Sequence, residues 1–294
     1  MDVIIAKIIG GLGNQMFQYA AARALSLKNS SSLLLDISEY KKYKLHQGFE
    51  LNRIFNGSFG LASEKDIYRV LNIYSPSFIR RITAHTRMSI FRPKSLVVEP
   101  HFKFWHDINK LTGSFYLNGS WQSENYFLEY AEEIREDFKF LLPLDSKNAQ
   151  LAIHINNVNS VSLHVRRGDY VSNKKASSVH GVCSIEYYRS AIEYISFKID
   201  NPYFFIFSDD IPWVKNNLSI EFPCQYIENN FGIESYNDMR MMSLCRHHII
   251  ANSSFSWWGA WLNPRIDKIV IAPKRWFSNQ SNIQDLLPDN WVKF

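Results

Sequence analysis

VIIAKIIGGLGNQMFQYAAARAL, residues 3–25, changes structural period at its glycines. Val3 to Ile8 is a short apolar run rich in β-branched residues, the pattern of a buried strand. Gly10-Gly11-Leu12-Gly13 follows as a turn. Beyond it, Met16, Ala20, Ala24 and Leu27 recur at helical spacing. Ser32 to Leu35 reads as the next strand and ends at Asp36. Strand, glycine turn, helix, strand is the opening of an α/β protein.

The same alternation returns from Val158. Strands are predicted at Ser160–Val165, Tyr203–Ser208, Gln225–Ile227, His248–Ala251 and Lys268–Ala272. Helices are predicted between them near 185–197, 211–218, 235–245 and 254–262. That pattern implies a mostly parallel, doubly wound sheet. The middle of the chain is less regular, with helices expected near 63–73 and 77–89 and a strand at Phe115–Leu117. Residues 124–141 read as one helix, with Phe127, Ala131, Ile134, Phe138 and Leu141 on one face and Pro143 as its stop. LPLDSKNAQ (142–150) reads as the junction, giving domains 1–150 and 151–294. The expectation is two Rossmann-like α/β domains facing a cleft, with ligand at the carboxyl ends of the strands.

Length and composition agree with two packed cores: 294 residues, 46% hydrophobic and 15% aromatic. The net charge of +5 suits an anionic ligand or a membrane surface, and no basic block reads as a nucleic-acid tail. Cys183, Cys224 and Cys245 form no CxxC pair, so neither a disulfide framework nor a zinc site is expected. The N-terminal apolar run is short and unlike a signal peptide. No window of about 18 apolar residues offers a membrane span. The expected location is the cytoplasm, with peripheral attachment to a membrane left open.

SLHVRRGDY (162–170) places Arg166 and Arg167 just past a strand, at the sheet edge that faces a ligand crevice. Guanidinium groups bind phosphate oxygens in a bidentate fork, and two together suit a pyrophosphate. Alternatively one arginine meets the ligand and the other pairs with a carboxylate, or the pair is simply structural or solvated. Asp169, after a glycine, is either a proton acceptor or an orienting partner for an arginine. Gly10-Gly11-Leu12-Gly13-Asn14-Gln15 is not the dinucleotide fingerprint, since Met16 stands where its third glycine belongs. It reads as close backbone approach to a ligand, with Asn14 and Gln15 offering amides at a helix N-terminus, or as a plain tight turn. Asp209 and Asp210 read as metal ligands or as the cap of the helix near Pro212. Ser253 and Ser254 open a helix, as an anion site or as ordinary caps. Trp257 and Trp258 suit a sugar face or the core, and His247-His248 reads as structural.

Six stretches taken together carry a more specific signal: GGLGNQMFQYAAARAL (10–25), NGSWQSENYF (118–127), SLHVRRGDY (162–170), FFIFSDD (204–210), NDMRMMSLCRHHIIANSSFSWWGAWLN (237–263) and VIAPKRWF (270–277). In this order they resemble the bacterial α-1,2-fucosyltransferases, the family that includes the blood-group H type enzymes, glycosyltransferase family 11. The resemblance implies a GT-B architecture with GDP-β-L-fucose held mainly by the C-terminal domain. It implies inverting transfer of fucose to O2 of a galactose, with no metal or other cofactor. It assigns Arg166 and Arg167 to the donor pyrophosphate and His164 to the guanine or its ribose. Asp238 matches the acidic residue that recognises guanine, Ser253 and Ser254 the serines near the phosphates, and Asn14 an amide facing the donor. Asp169 is the candidate base in an in-line displacement. The implied acceptor is a galactose-containing glycan, such as an O-antigen repeat assembled at the cytoplasmic face of the inner membrane. Rival expectations are another GDP-sugar transferase and a binding module without turnover.

Overall fold

Ile4, Ile5 and Ala6 are fully buried, as the opening run predicts, and lie in a strand, Val3–Lys7 (β1). The structure is a computed structural model that describes residues 2–41, 46–73, 79–80, 92–168, 171, 181–278 and 283–294. The chain divides into two units, Met1–Leu141 with Asn282–Pro288, and Leu142–Ser281 with Asp289–Phe294.

In the first unit, β1, Ser32–Asp36 (β2), Leu96–Val98 (β3) and Phe115–Asn118 (β4) form an all-parallel sheet in the order β2-β1-β4-β3. Leu12–Lys28 (α1) links β1 to β2. Gly10 makes the turn at φ +93, a conformation L side chains rarely adopt. Leu51–Ile54 (α2) and Glu64–Leu71 (α3) follow, the latter started by a Ser63–Asp66 capping box. Asp36 is buried and accepts bonds from Arg80 Nη2 (2.9 Å), Tyr116 Oη (2.6 Å) and Ser38 N (2.9 Å), so it serves the core of this unit.

The single helix expected over 124–141 is not formed. Two 3₁₀ turns, Glu124–Tyr126 and Leu128–Tyr130, precede a short helix, Ala131–Asp137 (α4). Phe127 (φ −140, ψ 7) and Tyr130 (φ −118, ψ 30) leave helical geometry. Tertiary packing accounts for the break. Phe127 is fully buried, and Tyr126 packs edge-on to Trp121 with ring centroids 5.3 Å apart. Leu141, expected on the buried face, is half exposed because Phe140 leaves the helix to bridge to Phe55. The helix expected near 77–89 falls largely outside the described residues.

The second unit begins before residue 150. Ser146–Asn157 (α5) is capped by Asp145, which accepts from Lys147 N and Asn148 N, so the expected boundary at 150/151 lies inside a helix. Six strands follow: Asn159–Val165 (β5), Pro202–Ser208 (β6), Cys224–Tyr226 (β7), His247–Ile249 (β8), Val270–Ala272 (β9) and Val292–Lys293 (β10). They are all parallel, in the order β10-β9-β8-β5-β6-β7. This is the doubly wound order, in which the first strand winds one way and the fourth the other. The intervening helices are Ile185–Lys198 (α6), Ile211–Asn217 (α7), Tyr236–Leu244 (α8) and Ser254–Leu262 (α9). Val161, Leu163 and Val165 of β5 pack on α6, while Phe205 and Phe207 of β6 pack with α5 and α8 on the other face. Trp257 and Trp258 are fully buried and pack against Trp261 and Trp291, so the pair belongs to the core. Among the described residues, no helix is long and apolar enough to cross a membrane.

Candidate active site

Topology selects one edge of the second unit. β5 and β8 are neighbours whose crossovers run in opposite directions, so their carboxyl ends flank the switch point of the sheet. The sequence places Arg166, Arg167 and Gly168 after β5, and Ala251 to Ser254 after β8. Two motifs about 90 residues apart in sequence therefore meet at the position where doubly wound sheets bind ligands.

Both arginines are paired, whereas the sequence predicted a carboxylate partner for one. Arg166 Nη1 lies 3.0 Å from Asp209 Oδ2, with a quarter of its side chain exposed. Arg167 donates its backbone N–H to Asp209 Oδ1 (2.8 Å) and its Nε to Asp210 Oδ2 (3.4 Å). Its guanidinium stacks 3.6 Å above the Trp213 ring, a cation–π contact that directs it along α7. Gly168 allows this approach, since a Cβ there would stand 2.7 Å from Asp209 Oδ2. Asp210 Oδ1 accepts from Trp213 N and caps α7. The aspartate pair is thus an orienting group and a cap. Among the described residues, no group of three or more His, Cys, Asp or Glu side chains is placed to hold a metal. Asp169 lies outside the described residues.

His164 is one residue from the end of β5, on the face opposite Leu163 and Val165. It is buried, and its Nδ1 has no hydrogen-bond partner among the described residues. Burial, reinforced by Arg166 and opposed by Asp209, pushes its pKa down to about 3, so the ring is neutral near pH 7. An orphaned buried imidazole nitrogen at this edge is suited to a ligand's hydrogen bond. His248, by contrast, is fully engaged, with Nδ1 2.8 Å from Ser162 Oγ and Nε2 2.8 Å from Asn263 Nδ2.

Asn252 is anchored through Nδ2 to the carbonyls of Gly181 (3.3 Å) and Trp276 (3.1 Å). It fixes the loop from which α9 starts. Ser253 is the N-cap residue, yet its side chain makes no capping bond. A helix N-terminus without a side-chain cap is a position suited to an anion.

Asp238 stands in the first turn of α8, and burial raises its pKa to about 7. It accepts a 2.8 Å bond from Asn230 Nδ2. Asn230 in turn pairs with Asn148 of α5. The sequence reading missed Asn148 and Asn230. Asn229-Asn230 follows β7 and carries only the composition of a turn, and no periodicity marks it.

Asn14 and Gln15 belong to the first unit. Asn14 is half-buried and its Oδ1 accepts from Gln122 Nε2 (2.8 Å), tying the turn after β1 to that after β4. Gln15 is fully buried, donates to Gly10 O and Gly48 O, and accepts from Glu50 N. Both of its amide hydrogens hold the scaffold, and the expected ligand contact does not fit its side chain. Glu99, also unforeseen, accepts from Ser120 N (2.6 Å) and Trp121 N (3.1 Å), shaping a turn in which Trp121 takes φ +54.

The profile of glycosyl transferase family 11 matches residues 3–294. An α-1,2-colitosyltransferase of Escherichia coli is 41% identical over 300 aligned positions, covering 100% of this chain and 99% of that protein. The O-antigen biosynthesis glycosyltransferase WbnK of Escherichia coli is 36% identical, covering 96% and 97%. Among solved structures, the α-1,6-fucosyltransferase NodZ of Bradyrhizobium, crystallised with GDP, superposes with a TM-score of 0.53 at 15% identity, covering 92% and 94%. With a parallel α/β sheet in each unit, that likeness gives the fold as GT-B type. A profile match along nearly the whole length, and relatives well above 30% identity that align end to end, place this chain in glycosyl transferase family 11, as a glycosyltransferase.

Proposed function

We propose that the protein transfers L-fucose from GDP-β-L-fucose to O2 of a galactose residue, with inversion, in the assembly of an O-antigen or related surface polysaccharide. The observation that carries this is the switch point of the second unit. Arg166, paired with Asp209, stands at the end of β5, and the N-terminus of α9, to which the Ser253 side chain gives no capping bond, stands at the end of the neighbouring β8. Both suit a pyrophosphate. Arg167 supports the site from its stacked position on Trp213.

In the proposed reaction the acceptor hydroxyl attacks C1 of the sugar from the face opposite GDP. The bond from C1 to the β-phosphate oxygen breaks, and its electron pair leaves with GDP. The hydroxyl proton passes to a base, for which Asp169 is our candidate. Arg166 and the start of α9 stabilise the charge developing on GDP, so the reading needs no metal. His164 offers its neutral ring to the nucleoside, and Asn14 an amide to the donor. The cytoplasmic face of the bacterial inner membrane is the location we propose.

A second reading is favoured by the 41% identity to a colitosyltransferase. Colitose is L-fucose without its 3-hydroxyl, so the two donors present the same GDP and the same reacting carbon. The test is to incubate the protein with GDP-fucose or GDP-colitose and a panel of β-galactosides, with EDTA present, and to assign the product linkage by NMR. A 1→2 fucosyl galactoside supports the first reading. Turnover with GDP-colitose alone replaces it with the second. A requirement for added magnesium or manganese removes the metal-free mechanism.

A further inference from the structure

We propose that Asn230, locked by Asn148, is a positioning residue that sets the Asp238 carboxylate to receive the paired N–H donors of a guanine base. The inference rests on the reading of the donor as a GDP-sugar and adds residues to it.

The network is continuous. Asp145 caps α5 through Oδ1 and accepts from Asn148 Nδ2 through Oδ2 at 2.6 Å. Asn148 and Asn230 pair reciprocally, Nδ2 to Oδ1, at 2.9 and 3.2 Å. Asn229 Nδ2 adds contacts of 3.2 Å to both Oδ1 atoms. Asn230 Nδ2 then donates to Asp238 Oδ1 at 2.8 Å. Asn148 is fully buried and Asn230 nearly so. In that setting an amide has little freedom to turn, because rotation would strand polar groups away from water.

Cohesion alone does not account for this network. α5 and α8 already share an apolar contact through Leu151, Ala152, Ile155, Met241 and Met242. The amides lie beyond it, at the ends of these helices on the sheet's carboxyl edge. Their chain of bonds ends on one oxygen of one carboxylate, and no second side-chain partner of Asp238 is present among the described residues. Burial drives Asp238 toward its neutral form, and the bond from Asn230 opposes that shift. The result is a half-buried carboxylate tethered through Oδ1, with no side-chain bond to its other oxygen among the described residues. His164 lies on the same face of the sheet, since its strand partner Phe207 packs with α5 and α8.

A carboxylate is an acceptor with two oxygens, and guanine offers N1–H and the exocyclic 2-amino group side by side. Adenine does not present that pair of donors. Such a bond is directional, so the plane of the carboxylate matters as much as its charge.

The test is calorimetric binding of GDP and of inosine 5′-diphosphate, which lacks the 2-amino group, with melting temperatures recorded in parallel. The variants are Asp238→Asn, Asn230→Ala, Asn230→Asp and Asn148→Ala. Removing a hydrogen bond to a charged group predicts a loss of about tenfold or more in GDP affinity for Asn230→Ala. Inosine diphosphate should lose less, so the preference for GDP narrows, which a general loss of stability would not produce. Asn230→Asp matches the native shape and keeps the test usable where alanine unfolds the chain. It lacks the donor and should narrow the preference as well. Asn148→Ala should act in the same direction and more weakly. If Asp238→Asn abolishes the preference while both Asn230 variants retain it, the positioning role is overturned and the guanine assignment stands. If Asp238→Asn also retains it, both are overturned. Failure of the wild-type protein to bind GDP overturns the donor reading itself.

Discussion

Arg166 lies 3.0 Å from Asp209, and under our proposal this pairing aims its charge at the donor pyrophosphate. Preorganised charge of this kind is worth roughly 10²–10³ in turnover. Arg166→Ala should therefore lower kcat/KM with GDP-fucose by about that factor and shift the melting temperature little. Near wild-type turnover would remove Arg166 from the reaction. At His164 the prediction concerns stability. Its folded pKa lies far below the unfolded value of about 6.5, so as pH falls the unfolded chain takes up the proton first. The stability of the neutral buried ring is present above about pH 6.5 and is lost progressively toward pH 3. Denaturant titrations at a series of pH values should show wild-type stability falling with acid and His164→Gln falling less steeply. His248, also pushed well down by burial, keeps part of the slope in both proteins. Equal slopes would show that His164 is not its source.

The turn after β5 and the start of α7 act as one piece, since Asp209 and Asp210 receive both arginines. Gly168→Ala would place a Cβ 2.7 Å from Asp209 Oδ2, and the carboxylate or the turn must shift. Overpacking of this kind costs about 1–3 kcal/mol. We expect activity to fall further than stability alone explains, because Asp209 then aims Arg166 poorly. A Gly168→Ala protein with wild-type kcat would show that the turn tolerates the shift. Asp210→Ala makes the converse prediction. It removes a helix cap, a loss of about 1 kcal/mol in denaturation experiments. Its effect on kcat/KM should be well below that of Arg166→Ala, because Arg167 still stacks on Trp213. A larger kinetic defect than that of Arg166→Ala would make Arg167 the principal pyrophosphate ligand.

At the scale of the whole molecule the proposal turns on the donor sugar. A site that hydrogen-bonds the 3-hydroxyl of fucose leaves its own polar groups unpaired with colitose, and such sites discriminate by roughly 10⁴-fold. An apolar site matched to colitose rejects the extra hydroxyl only weakly, by about 10²-fold. The ratio of kcat/KM for GDP-fucose over GDP-colitose therefore reports the chemistry of the pocket. Under our proposal it exceeds about 10², and a ratio below one assigns the protein to colitose transfer.

Periodicity made the two α/β units and most elements of the second unit legible, because parallel strands buried on both faces are continuous apolar runs and their helices are amphipathic. α9 is found where its residues predicted it, at Ser254–Leu262. Arg166, Arg167 and Ser253 stood out as candidates from local sequence, whereas His164 and Asp238 became candidates only through the family resemblance. The helix over 124–141 was misread because its apolar spacing is helical while Tyr126 and Phe127 are drawn into ring packing and burial that break the turn. Gln15 was misread because only the fold shows Gly48 and Glu50 reaching its amide. The Asn148–Asn230 pair spans 82 positions and leaves no periodic trace. Short-range physics, the spacing of apolar residues and the chemistry of turns, is written in adjacent residues. Which carboxylate meets which arginine, and which amide holds which carboxylate, depends on strand order, and that is settled only when the sheet closes around its core.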